Sequence, residues 1–130
     1  MMNRIAVIGG GAAGFFAAIN CAIINKNSAV TIFEKSNKLL AKVRVSGGGR
    51  CNVTHACFDP SRLVDFYPRG KRELRGPFSR FNAQHTVEWF ESRGVQLKTE
   101  DDGRMFPTTD NSASIVECLM KEAEKLKVNI

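Results

Sequence analysis

Gly9-Gly10-Gly11-Ala12-Ala13-Gly14 satisfies the spacing G-x-G-x-x-G, and Glu34 follows twenty positions after its last glycine. Glycine patterns of this kind are common, so the neighbours decide what it means. An apolar run, Ile5 to Ile8, precedes it, and a proline-free stretch rich in Ala, Phe and Ile follows, up to Lys26. A second apolar run, Ala29 to Phe33, then ends at Glu34. Strand, glycine turn, helix, strand and acid in that order mark a dinucleotide-binding β-α-β unit over residues 4–34. Each part has a physical task. Gly9 allows a tight turn out of the strand, Gly11 keeps a side chain out of the path of a diphosphate, and Gly14 lets the helix pack closely on the sheet. The free N–H groups at the helix start, at Ala12 and Ala13, attract the diphosphate together with the helix dipole. Glu34 accepts hydrogen bonds from the adenosine ribose, and its charge argues against a 2′-phosphate.

A second glycine cluster, Gly47-Gly48-Gly49, lies in the run Ser46 to Asn52, just after the second strand. Three glycines between Ser46 and Arg50 can form a nest of N–H groups for an anion. Lys42, Arg44 and Arg50 have the charge to pair with phosphates, although long basic side chains are more often simply solvated. Cys51 is either a reactive thiol beside the cofactor or an inert one, and the inert reading is the commoner. Cys51, His55 and Cys57 lack paired C-x-x-C spacing and a fourth ligand, so no metal is expected. Cys21 and Cys118 fall in helical apolar patterns, as buried reduced thiols do. His55 and His85 are the obvious titratable groups, but neither pattern marks a catalytic acid or base.

Around these residues the elements read as follows. Ile5 to Ile8 has no alternation, which predicts a parallel strand covered on both faces, and Ala12 to Lys26 predicts a largely buried helix. Residues 35–58 form a loop-rich basic segment. Residues 59–130 hold helices and a hairpin that lead to a truncated strand. Within them a short helix is expected at Arg62 to Phe66, and an irregular basic stretch from Pro68 to Pro77. Asn82 is placed to cap a helix running through Arg93, with Gly94 as its stop. Asp101-Asp102-Gly103 should turn a hairpin between Val95–Thr99 and Arg104–Phe106. Ser112 to Lys127 predicts an amphipathic helix with a capping box at Ser114 and Glu117. Val128 to Ile130 opens another strand, so residues 1–130 read as the N-terminal part of a larger α/β domain.

Composition is that of a globular chain: 43% hydrophobic and 25% charged residues, with a net charge of +6. Residues 35–80 hold eleven Lys/Arg against three acids, a concentration that suits either a diphosphate or a polyanion. Ile5 to Ile24 carries no charge, yet four glycines interrupt it, which argues against a membrane span or signal sequence. Unpaired cysteines and the absence of a span suggest a cytoplasmic protein.

The run Glu34 to Thr54, EKSNKLLAKVRVSGGGRCNVT, closely resembles the signature of a bacterial NAD(P)/FAD-dependent oxidoreductase family. That family includes enzymes of the aminoacetone-oxidase and dehydro-bile-acid-reductase types. Gly103 to Ser114, GRMFPTTDNSAS, is similar to a second family segment. The resemblance implies a Rossmann-like, two-dinucleotide-binding-type flavoprotein that is longer than this chain, with FAD as cofactor. It implies that Gly9, Gly11 and Gly14 hold the diphosphate, that Glu34 holds the ribose with Lys35 near the adenosine, and that Ser46 to Asn52 line the flavin side. His55 departs from the family pattern, in which Asn follows the Thr. Hydride would pass through flavin N5 to or from a small-molecule substrate that the sequence does not identify, with NAD(P)H or oxygen as second redox partner. Residues 1–130 alone would be inactive. A direct NAD-dependent dehydrogenase is the first alternative, but it leaves the second glycine cluster without a role. A nucleic-acid-binding module resembling tRNA-modifying flavoproteins is the second; it has few aromatic residues beside the basic stretch and no RNA-binding motif, so nucleic acid is not the expected partner.

Overall fold

The structure, a computed structural model, describes residues 2–130. Strand β1 (Asn3–Ile8) leads through the glycine turn into helix α1 (Ala12–Ile24), which returns the chain to β2 (Ser28–Phe33). β1 and β2 pair in parallel, with Ile5 opposite Val30 and Val7 opposite Ile32. The β-α-β unit expected from the sequence is present. The chain ends beside the same sheet: Asn129 bridges Thr31 in parallel, accepting from the Ile32 N–H at 2.8 Å and donating to the Val30 carbonyl at 2.9 Å.

Helix α1 has no charged residue and packs by apolar contact. Phe15, Ala18 and Ile19 are fully buried against Val30 and Ile32 of β2 and against the apolar face of helix α6 (Ala113–Lys125), formed by Ile115, Val116, Leu119 and Ala123. Each large apolar side chain buried here contributes about 1.5–3 kcal/mol. The expectation that β1 is covered on both faces is not met within this chain. Ile8 is 82% exposed and Phe33 55%, because α1 and α6 pack on the face that carries Val30 and Ile32.

Residues 35–58 contain more structure than their composition suggested. Helix α2 (Ala41–Val45) runs into a 3-10 turn (Ser46–Gly49), and β3 (Thr54–His55) pairs antiparallel with β5 (Arg104–Pro107). The short helix near residue 62 is α3 (Pro60–Leu63), capped by the Asp59 carboxylate on the Ser61 N–H, and it continues as a 3-10 turn (Val64–Phe66). The stretch from Pro68 to Pro77 is not irregular: α4 (Lys71–Arg80) is helical with Pro77 inside it. Leu74 and Phe78 stand four apart on its half-buried side, and Phe78 meets Tyr67 at 5.4 Å between ring centroids; the helix continues through Pro77 without that residue's N–H. Asn82 caps α5 (Ala83–Glu91) as expected, and Gly94 takes φ +83 beyond it. The hairpin of β4 (Leu97–Thr99) and β5 turns at Gly103, φ +86. The capping box at Ser114 and Glu117 does not form. Ser112 is the N-cap, Asn111 Oδ1 accepts from the Ala113 N–H at 2.9 Å, and the Ser114 hydroxyl pairs with Thr109 at 2.6 Å.

Candidate functional site

The glycine turn between β1 and α1 is built by close backbone approach. A Cβ on Gly14 would stand 1.8 Å from the Gly9 carbonyl oxygen, and one on Gly10 would stand 2.6 Å from Leu39 Cδ2. Gly9 takes φ +103, the left-handed backbone that glycine tolerates. Gly11 differs from its neighbours: a Cβ there meets nothing within 4 Å, so its lack of a side chain answers to no packing partner in this chain. The first turn of α1 carries no acidic residue and no side-chain cap. Among the described residues the N–H groups of Gly11, Ala12 and Ala13 have no acceptor. Of these, Gly11 and Ala12, at the positive end of a thirteen-residue helix, line a cavity of about 390 Å³ together with Gly10, Glu34, Ser36, Lys38, Ala41, Lys42 and Val43, while Ala13 lines its neighbour. Donors and shape fit a diphosphate.

Glu34 joins this turn to the end of β2. Its Oε2 accepts from the Gly10 N–H at 2.7 Å and its Oε1 from the Ser36 N–H at 2.8 Å. The hydrogen bond from Gly10, and then those from Ser36, hold the carboxyl below its ordinary value. Each carboxylate oxygen keeps a further lone pair for a ligand hydroxyl. Lys35 is exposed and stands off the cavity wall, which Lys38 occupies instead.

At Ala12, Lys42 and Val43 the first cavity meets a second, of about 520 Å³, whose wall is apolar. Ser46, Cys51, Asn52 and Val53 form one side of it; Phe16, Phe81, Trp89, Phe90, Ile115 and Leu119 form the rest. Phe16 touches both Phe81 and Trp89, at 5.2 and 5.6 Å between centroids. The sequence reading missed Gly10, Ser36, Lys38, Phe16, Phe81 and Trp89. Only the position of Phe16, one turn into the helix after the glycine motif, gave a local signal.

In the second glycine cluster, Gly47, Gly48 and Gly49 all take left-handed conformations, φ +57, +69 and +85, and Cys51 follows at φ +63. Cys51 is buried; burial pushes its thiol up, against a weaker pull from the Ser46 hydroxyl. That favours the inert thiol, since the reactive form is the thiolate. Arg50 is engaged by two half-exposed carboxylates, with Nη1 2.7 Å from Glu100 and 3.4 Å from Asp110. Lys42, exposed at the junction of the two cavities, is the cation best placed for a phosphate. Neither histidine faces the cleft. His55 lies against Phe66, 4.1 Å between centroids, and leaves no room for a Cβ on Gly103; His85 Nδ1 accepts from the Asn82 N–H at 3.1 Å in the cap of α5. Among the described residues no three His, Cys, Asp or Glu side chains gather as a metal site, and no helix is long and apolar enough to cross a membrane.

The HI0933-like protein Rossmann domain matches residues 3–130. A 3-dehydro-bile acid delta(4,6)-reductase of Clostridium scindens is 36% identical over 99% of the chain. Ribosomal RNA dihydrouridine synthases of Haemophilus influenzae and Escherichia coli are 28% and 27% identical over 95% and 92% of it. The chain spans 31%, 29% and 28% of the lengths of these three relatives.

Proposed function

The chain belongs to the HI0933-like Rossmann domain family, and from that premise we propose that it is the dinucleotide-binding part of an FAD-dependent oxidoreductase. The observation that carries the reading is a pair of cavities that share Ala12, Lys42 and Val43 in their walls. One offers the unpaired N–H groups of α1 and the Glu34 carboxylate, and the other is an apolar space lined by Ser46, Cys51, Asn52, Val53 and the Phe16–Trp89 cluster, while Gly47 to Arg50 line neither. A molecule with a diphosphate between an adenosine and a flat, largely apolar ring matches that sequence of surfaces. NAD would fill the first cavity and has no flat apolar ring system for the second.

When bound, FAD supplies hydride exchange at N5. The residues of this chain hold and orient it. The α1 N-terminus and Lys42 neutralise the diphosphate, Glu34 holds the ribose, and the apolar walls exclude water from the ring. No proton donor is assigned here, because both histidines are committed to structure.

The names of the relatives suggest a shared reaction class. The Δ4,6 pair of double bonds in a 3-dehydro bile acid is conjugated to the 3-carbonyl, and dihydrouridine is uridine reduced at a double bond conjugated to its carbonyl. For this protein we propose reduction of a carbon–carbon double bond conjugated to a carbonyl, with NAD(P)H as the reductant. The test is spectroscopic. The purified protein, reduced anaerobically with NADH or NADPH until the flavin bands bleach, should recover colour with a conjugated enone and not with the matching saturated ketone. Equal recovery with both would remove the proposed substrate class; no flavin bands at all would remove the cofactor.

One observation favours RNA as the carrier of that double bond. Arg69, Lys71, Arg72, Arg75 and Arg80 are all exposed on or beside α4, near the exposed rings of Phe66 and Tyr67. Among these cations only Lys71 has an acidic partner among the described residues, Asp65. RNA binding through this face would weaken steeply with salt and with neutralisation of Arg72 and Arg75.

A further inference from the structure

The second glycine turn is closed locally by the Arg50 and Cys51 N–H groups on the Ser46 carbonyl, the latter at 3.0 Å. Gly47, Gly48, Gly49 and Cys51 occupy left-handed backbone, and consecutive glycines lose more conformational freedom on ordering than any other residues. Further ties come from a hairpin and helix start some fifty to sixty residues later in the chain. The Ser112 N–H donates to the Gly49 carbonyl at 2.9 Å, and the Ser112 hydroxyl to the Arg44 carbonyl at 2.9 Å. The Phe106 ring closes over Gly47, where a Cβ would stand 2.7 Å from Phe106 Cε1. Arg50 completes the clamp: its guanidinium lies 4.0 Å from the centroid of Phe106 while Nη1 reaches Glu100 and Asp110, and Asp110 is held in turn by Lys98 at 2.6 Å. Only a planar cation can stack on a ring and meet two carboxylates together.

We propose that Arg50 is a positioning residue: by locking the Gly47–Gly49 turn to the β4–β5 hairpin, it preforms the side of the apolar cavity made by Ser46, Cys51 and Asn52 for the flavin half of the dinucleotide, and does not itself bind phosphate. This rests on the FAD reading of the cleft. The carboxylate side of the clamp separates it from direct ligand contact. An arginine that binds phosphate would be freed by removing Glu100 and Asp110, whereas a clamp fails from either side.

The experiment compares Arg50→Ala, Arg50→Lys and the double variant Glu100→Gln/Asp110→Asn with the parent chain. Two measurements are made: iodoacetamide labelling of Cys51, mapped by peptide mass spectrometry, and titration with ADP and with FAD. Cys51 is buried in the cavity side next to the turn, so loosening the clamp should speed its labelling about tenfold in Arg50→Ala and in the double variant, with Arg50→Lys between. FAD affinity should fall about tenfold in the same variants while ADP affinity stays within about twofold, a split that general destabilisation would not produce. Unchanged Cys51 labelling in the double variant, or FAD binding that tightens in it, would overturn the clamp. Should Arg50→Ala fail to fold, the other two variants decide. Failure of the parent chain to bind FAD would sink the cofactor reading, while the labelling rates would still judge the clamp.

Discussion

Gly14 and Gly48 sit in the two glycine clusters of the chain, and they are glycine for opposite reasons. A Cβ on Gly14 would drive into the Gly9 carbonyl oxygen at 1.8 Å, whereas one on Gly48 would meet nothing within 4 Å. Gly14 answers to space and Gly48, at φ +69, to backbone conformation. Both clusters are tied to later segments of the chain: the Gly9 N–H to the Phe33 carbonyl and the Gly10 N–H to Glu34 in the first, the Gly49 carbonyl to the Ser112 N–H in the second. The first also ends a strand and opens a helix, so its spacing can be read in one dimension. The second does neither, and its distant partners stand about sixty residues away.

The largest expected effect of this difference is on folding. Gly14→Ala should destabilise the chain by about 3 kcal/mol, because the clash is with backbone and cannot be relieved by a rotamer. Gly48→Ala should cost only about 1 kcal/mol, the strain of a left-handed alanine. Urea unfolding of both variants measures the contrast, and equal losses would erase the distinction between the clusters.

Gly11→Val separates packing from binding within the first cluster. The new Cβ meets no protein atom within 4 Å, so the melting temperature should stay within about 3 °C, yet ADP affinity should fall about 100-fold or more as the branched side chain occupies the diphosphate's place. A Gly11→Val chain that binds ADP normally would move the diphosphate elsewhere.

Glu34→Ala should weaken ADP and FAD alike, by about tenfold, since the lost hydrogen bonds belong to the shared adenosine half and to the Gly10 N–H. The pH dependence follows in sign. The folded carboxyl titrates below its ordinary value, so its contribution is complete above the unfolded value and is lost as pH falls through the lower folded one. Stability of the parent should therefore fall more steeply in acid than that of Glu34→Gln, and identical acid profiles would show that the strut contributes nothing.

The β-α-β unit, the caps at Asn82 and Gly94 and the Gly103 hairpin were legible because each follows from local chemistry. What escaped was set by contacts distant in sequence or by competing local signals. β3 exists only because β5 pairs with it. α4 was obscured by the breaker signals of Gly70, Gly76 and Pro77. Arg50 read as a phosphate ligand from its charge, since nothing near it in sequence announces Glu100 or Asp110. The Ser114–Glu117 box failed because Asn111 and Ser112 cap the helix earlier.

The most direct test of the cleft is competitive binding to the 130-residue chain, followed by calorimetry, with FAD, ADP and NAD as ligands. One FAD should bind per chain and be displaced by ADP, with FAD several-fold tighter than ADP because its second half meets the apolar cavity, and NAD weaker than FAD. NAD binding as tightly as FAD, or FAD that ADP cannot displace, would contradict a flavin lying along the two cavities.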